Sequence, residues 1–206
     1  MSRNRSDEPR LLRVIVEDAS TFEGNAKKKV DAVFAALSAP QRAETYAILG
    51  DDSGLVVDAL GCVDIGGRPG VRSARFAEDA GLTHLAATTD GANNALLLAM
   101  LHAVPDEQRA ARFVSFVCAR IDDAAKPRYL KARGTVEGRI ARDLIGAGGF
   151  GYDPLFVCSD EPATGMRMAE LTAEQKHAIS HRGRAMRVLL KNLAVQFPPS
   201  SSAPGS

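Results

Sequence analysis

The sequence predicts an α/β domain with a mixed central β-sheet flanked by helices. Three observations carry this. Phe22, Ala26, Val30, Val33, Phe34 and Leu37 recur at helical spacing. Two β-rich runs, Arg112 to Ile121 and Tyr129 to Val136, follow one another directly. A second helical pattern closes the chain from about Ser180 to Val195, with Met186, Leu189, Leu190 and Leu193 on one face.

The elements follow in order. Leu11 to Val16 is a short apolar run that can form a strand. Ser20-Thr21-Phe22-Glu23 has the form of a capping box and starts the first helix, which Pro40 closes. Tyr46 to Leu49 reads as a buried strand ending in a Gly50-Asp51-Asp52-Ser53-Gly54 turn. Leu55 to Leu60 reads as another strand, and residues 61–70 are glycine-rich and irregular. A helix follows near Asn93 to Ala103. After the two long strands comes a glycine-rich loop, 146–154, and a short strand at Leu155 to Val157. Residues 1–10 and the low-complexity stretch 198–206 are expected to be flexible tails on one domain spanning 11–197.

Composition narrows the function. The 206 residues carry a net charge of +1, with Lys and Arg spread along the whole chain, so neither a nucleic-acid nor a membrane field is expected. No apolar run reaches the length of a membrane span. Cys62, Cys118 and Cys158 are odd in number and lack metal-ligand spacing; they read as reduced thiols of a cytosolic protein.

Four places have the residue types for chemistry. Asp51-Asp52 puts two carboxylates side by side, which repel unless a cation or proton intervenes. Mg²⁺ suits such oxygens, although in isolation these two residues with Ser53 and Gly54 read first as a turn. Lys29 lies at the edge of the apolar stripe, either snorkelling over the core or directed into a phosphate pocket. Gly148 to Pro154 combines glycines with Phe150, Tyr152 and Asp153, which suits either gripping a ring by stacking and hydrogen bonds or a tight turn plugged by aromatics. Lys176 and Ser180-His181-Arg182 place cations near a helix start, where a bound anion would offset their conflict with the dipole. An ordinary charged first turn is the plain alternative.

Taken in this order, the motifs resemble the inosine triphosphate pyrophosphatase (Ham1-like) family. The matching pieces are Glu17 with Thr21-Phe22-x-x-Asn25-Ala26-x-x-Lys29, Asp51-Asp52-Ser53-Gly54-Leu55, and Arg68-Pro69-Gly70-Val71-x-Ser73-Ala74-Arg75-Phe76. They continue with Gly149-Phe150-Gly151-Tyr152-Asp153-Pro154, then Ala169-Glu170-Leu171 through Lys176 to Ser180-His181-Arg182-Gly183. The resemblance spans about residues 15–195. Two departures stand out. Residues 62–67 are additional, and the family's opening strand with its Thr/Ser-x-Asn-x-x-Lys phosphate loop has no counterpart before Glu17. Gly24 to Lys29 is not that loop, because Asp51 follows too soon and the same residues fit the later helix.

The resemblance implies hydrolysis of deaminated purine nucleoside triphosphates to the monophosphate and pyrophosphate, by water attacking the α-phosphorus. It implies Mg²⁺ held by Glu17, Asp51 and Asp52, with Asp52 and Lys29 as catalytic residues. It assigns substrate binding to Ser53, Phe150, Gly151, Tyr152, Asp153, Lys176, His181 and Arg182. Donors facing the 6-position of the base would accept a 6-oxo group and reject a 6-amino group. A homodimer in the cytoplasm is the implied setting. The competing expectation is a nucleotide-binding relic impaired by the missing loop. A Maf-like pyrophosphatase for modified pyrimidines fits the Ser-His-Arg-Gly and Phe-Gly-Tyr-Asp-Pro motifs less well.

Overall fold

The computed structural model describes residues 15–61, 68–122, 126–146 and 148–196. The expectations for residues 1–10, 62–67 and 198–206 lie outside these residues. Of Leu11 to Val16, only Ile15 and Val16 are described, and they are not in a strand.

Helix α1 (Phe22–Ala36) begins one residue later than a Ser20 cap would set it. Thr21 is the N-cap, its hydroxyl accepting from Gly24 N–H, and Glu23 reaches instead to Lys131 at 2.5 Å. Pro40 does not end this helix. It sits in the first turn of the short α2 (Ala39–Glu44), where a missing N–H costs nothing. Strand β1 (Ile48–Val57) runs straight through the expected Asp51–Gly54 turn, merging two anticipated strands into one. Ladder pairing overrides the turn signal, since Asp51, Asp52, Ser53 and Gly54 face Val117, Phe116, Ser115 and Val114 of the next strand. Asp58–Leu60, expected to continue a strand, forms a 3₁₀ turn.

Residues 70–75 form a 3₁₀ segment leading into the one-turn α3 (Phe76–Asp79). Helix α4 (Thr89–Met100) starts at a Thr88 cap, four residues earlier than its apolar run suggests. The long strands β2 (Ala110–Asp122) and β3 (Pro127–Ile140) form a hairpin, and β4 (Phe156–Cys158) is short. Helices α5 (Ala173–Ile179) and α6 (His181–Gln196) complete the order. Ser180 caps α6, its Oγ accepting from Gly183 N–H at 3.1 Å. Leu190 lies outside the α6 apolar face, being exposed; Ala185 and Leu189 fill that face, with Met186 and Leu193 packed beside them.

The sheet order is β1-β2-β3-β4. The α/β class is as expected, but every pairing among the described residues is antiparallel rather than mixed. β2 and β3 are joined without a helical crossover, as a direct hairpin allows. The sheet lies between two layers. Ala26 and Val30 of α1 pack with Ile48 and Cys118 on one face. On the other face α6 packs on Val117 and Ala132, while α4 and the 152–156 segment pack on Leu55, Phe113 and Val136. Alternation along a strand explains this division, because residues one apart point to opposite faces.

Two glycines allow elements to crowd β1 on the α1 side. A Cβ on Gly50 would stand 2.9 Å from Val30 Cγ1 and 3.2 Å from Ala26 O. A Cβ on Gly54 would collide with Gly70 O and stand 2.5 Å from Ser73 Oγ and 3.0 Å from the Phe22 ring. The 70–75 segment can therefore close on the β1 edge. There Ser73 Oγ donates to Gly70 O at 2.6 Å and accepts from Leu55 N–H at 2.8 Å.

Candidate active site

β1 delivers carboxylates to both faces of the sheet. Asp52 points to the α1 side and is 6% exposed. Its Oδ2 accepts from Asn25 Nδ2 at 3.1 Å, and its Oδ1 from Lys29 Nζ at 2.8 Å. Asn25 is itself fully buried and fixed, its Oδ1 accepting from Ala19 N–H. Lys29 also donates to Asp51 O at 2.9 Å and pairs with Glu17 at 3.0 Å. Burial pushes the Asp52 carboxyl above the usual range, outweighing the pull of Lys29 and Asn25. Burial would lower the Lys29 ammonium, but its bonds to Asp52 and Glu17 win and raise it. Glu17, Asp52, Ser53, Ala74 and Arg75 line one open cleft of about 490 Å³.

Asp51 points the other way, where Arg182 Nε donates to it at 2.8 Å. Here a second cleft of about 190 Å³ lies between β1, the 150–153 loop and the start of α6. Asp153 is buried, accepting from Phe150 N–H at 2.9 Å and from Lys176. The same ammonium lies 4.5 Å from the centroid of the Phe150 ring. Phe150 itself is 62% exposed, so its ring forms an open wall. Tyr152 is buried, and its hydroxyl donates to Ser73 O at 2.9 Å. The His181 ring stacks on Phe113 with centroids 5.2 Å apart and planes 14° apart. Burial, and then the Arg182 charge, push the His181 pKa down to about 4. The imidazole is therefore neutral at pH 7, with one N–H donor and one acceptor nitrogen. Ser53 and Ala74 line both clefts, so the two join over the β1 edge.

The structure gathers Glu17, Lys29 and Asp52 at the first cleft and Phe150, Gly151, Tyr152, Asp153, Lys176, His181 and Arg182 at the second. It does not bring Asp51 to Glu17 and Asp52. Among the described residues no group of three or more metal-type ligands comes together. Strand alternation is the reason, since adjacent residues of an extended chain cannot share a face. Arg75, Ser73, Phe113, Asp90 and Asn93 also line the clefts, and the sequence motifs gave them no role. For Ser73 and Arg75 the signal was present, as both lie inside the Arg68–Phe76 motif. Phe113 reads as an ordinary strand residue until its pairing with His181 is known.

The chain is similar to known proteins over most of its length. A model of the Ham1 family matches residues 4–192. The dITP/XTP pyrophosphatase of Mycolicibacterium paratuberculosis is 45% identical over 177 residues, covering 86% of this chain and 74% of that protein. Its counterpart in Exiguobacterium sibiricum is 46% identical over 176 residues, covering 84% and 75%. The structure of the Staphylococcus aureus Ham1 protein superposes with a TM-score of 0.69 at 36% identity, covering 88% of this chain and 81% of the other. A HAM1 protein from Coxiella burnetii gives 0.70 at 34% identity, covering 88% and 80%. Matched by the family model over residues 4–192 and by these relatives over most of its length, the chain belongs to the Ham1 family.

Proposed function

We propose that this chain hydrolyses deaminated purine nucleoside triphosphates, those of inosine and xanthosine and their deoxy forms, to the monophosphate and pyrophosphate. The observation that carries the reading is the joining of a carboxylate cleft to an aromatic, donor-lined cleft across Ser53 and Ala74. The relatives named dITP/XTP pyrophosphatase support the same substrate class.

In this reading the base rests on Phe150, with Lys176, Arg182 and the His181 imidazole presenting donors to a 6-oxo group. A 6-amino group there would meet donors with a donor, and each buried unpaired polar group costs about 1–3 kcal/mol. The phosphate chain crosses Ser53 into the first cleft, where Lys29 and Arg75 offset its charge. Asp52 accepts a proton from water as the water oxygen bonds to the α-phosphorus and the bond to pyrophosphate breaks. Its raised pKa makes it a stronger base than an exposed aspartate. Glu17 and Asp52 offer hard oxygens to one cleft and fit a divalent cation such as Mg²⁺, whose other positions water and phosphate would fill. Bound there, the ion would supply positive charge to the phosphates. Asp51 instead orients Arg182.

Product analysis tests the reading. Inosine triphosphate with Mg²⁺ should give inosine monophosphate and pyrophosphate; release of the diphosphate and free phosphate would overturn it. A homodimer and a cytoplasmic setting belong to the same reading. Cys118 and Cys158 are free and buried, and burial pushes both thiols up to about 11, so neither is a reactive thiolate. Light scattering at micromolar concentration tests the dimer.

A further inference from the structure

We propose that Asp90 and Asn94 of α4 are positioning residues that set the Phe150 wall by gripping both backbone groups of Gly151. Asp90 Oδ2 accepts from Gly151 N–H at 2.7 Å, and Asn94 Nδ2 donates to Gly151 C=O at 2.9 Å. The two side chains are one helical turn apart and so share a face. The inference rests on the proposed function, and adds to it two residues that act through the loop backbone rather than on the reacting atoms.

The Phe150 ring is the reason a grip is needed. At 62% exposure it is not fixed by core packing. Its place depends on how the backbone on either side is held. On the N-terminal side Phe150 N–H is bound to the buried Asp153 carboxylate. On the C-terminal side comes Gly151, at φ +62°, a residue free to adopt many conformations. α4 removes that freedom by binding the Gly151 N–H and C=O at once. Asn93, between the two, binds Ala77 N–H, Ser73 O and Ala74 O. One helix thus ties the base-side loop to Ser73 and to Ala74, the latter lining both clefts.

Stability does not explain Asn94. It is 4% exposed, and its Oδ1 has no partner among the described residues. A half-satisfied buried amide is costlier than an apolar side chain of similar size. Its bond to Gly151, 57 residues away, is what it accomplishes. Asp90 is exposed and would suit any helix first turn, but its carboxylate is directed to the loop.

The test uses Asp90→Ala, Asp90→Asn and Asn94→Leu in the full chain, with steady-state kinetics on inosine triphosphate, thermal melts, and hydrogen exchange at residues 150–152. Asp90→Ala and Asn94→Leu should each raise KM about 10-fold while kcat stays within about threefold. Asp90→Asn keeps an acceptor oxygen and should restore most of the KM. Asn94→Leu should melt no lower than the parent. If Asn94→Leu fails to fold, the exposed Asp90 pair decides the question. Exchange at Gly151 should quicken in Asp90→Ala. Faster exchange with unchanged KM would overturn the positioning role, and unchanged exchange would overturn the grip itself. A parent protein inert toward inosine triphosphate would instead overturn the pyrophosphatase reading, while exchange at Gly151 would still decide the grip.

Discussion

The Lys29 ammonium spans the seam between α1 and β1 to reach Asp52 Oδ1 at 2.8 Å, and no water layer fits between them. Removing one partner strands the other. Lys29→Met leaves a nearly buried carboxylate held only by Asn25. We expect a loss of about 2–3 kcal/mol, at or below the low end of values for sealed ion pairs because the lysine is partly exposed. In melts this is about 5–10 °C. The double variant Lys29→Met/Asp52→Asn removes both charges and should recover part of the loss. A double variant less stable than either single would refute the pairing argument.

Asp52→Asn keeps the shape and the Asn25 contact but removes the proposed base and a charge. Turnover should fall at least about 100-fold, the scale of a lost general base, with the circular dichroism spectrum unchanged. Activity within a few-fold of the parent would remove Asp52 from the chemistry.

His181 gives a pH dependence with a definite sign. Its pKa is about 4 in the folded protein, against an ordinary value of 6.5. The unfolded chain therefore binds a proton more readily between those values. The group's contribution is complete above pH 6.5 and is lost as pH falls toward 4, by on the order of 2–3 kcal/mol. Arg182 and Lys176 depress this pKa further and Asp51 opposes them. Denaturant melts of the parent and His181→Asn from pH 7 to 4 should converge at the acid end. Parallel curves would show that the imidazole is not held neutral.

Arg109 is a structural hub. It is 1% exposed and its guanidinium donates to three backbone carbonyls, those of Leu101, Ile140 and Ala141. It joins the end of α4 to the end of β3. Arg109→Leu would leave the Ile140 and Ala141 carbonyls short of a donor, at about 1–3 kcal/mol each, while Leu101 O keeps the Val104 N–H at 3.0 Å. We expect a melting temperature lower by about 10 °C or more. A shift below about 3 °C would mean that water replaces the guanidinium.

Much of this was legible in the sequence. α1, β2, β3 and α6 follow from apolar periodicity, and the charged and aromatic residues Glu17, Lys29, Asp52, Phe150, Tyr152, Asp153, Lys176, His181 and Arg182 follow from ordered motifs, whereas Phe113, Asp90 and Asn93 do not. The centre of β1 was not. Gly50-Asp51-Asp52-Ser53-Gly54 contains no apolar residue to reveal a period of two, so local turn propensity won the reading. With the strand hidden, nothing showed that Asp51 and Asp52 face opposite sides. Arg109, Asp90 and Asn94 were silent for another reason. Apart from Leu101, their partners lie about 30 to 60 residues away, and a lone polar side chain in a helix or loop carries no mark of what it will meet.

The glycines flanking Asp52 act as a key for the register of β1. A strand bearing two neighbouring aspartates, then Leu55, Val56 and Val57, could slip by one residue and still show a carboxylate and an apolar side chain to each layer. Composition alone would not punish the error, yet the acid facing Lys29 would be the wrong one. Gly50 and Gly54 prevent this. A slip in either direction would press a side chain against Val30 and Ala26 at one end, and against Gly70 and Ser73 at the other, where a single carbon already has no room. Gly54→Ala should therefore cost more activity than its added methyl suggests, since relief by slippage exchanges Asp51 for Asp52. Two residues without side chains thus decide which of two identical acids faces Lys29.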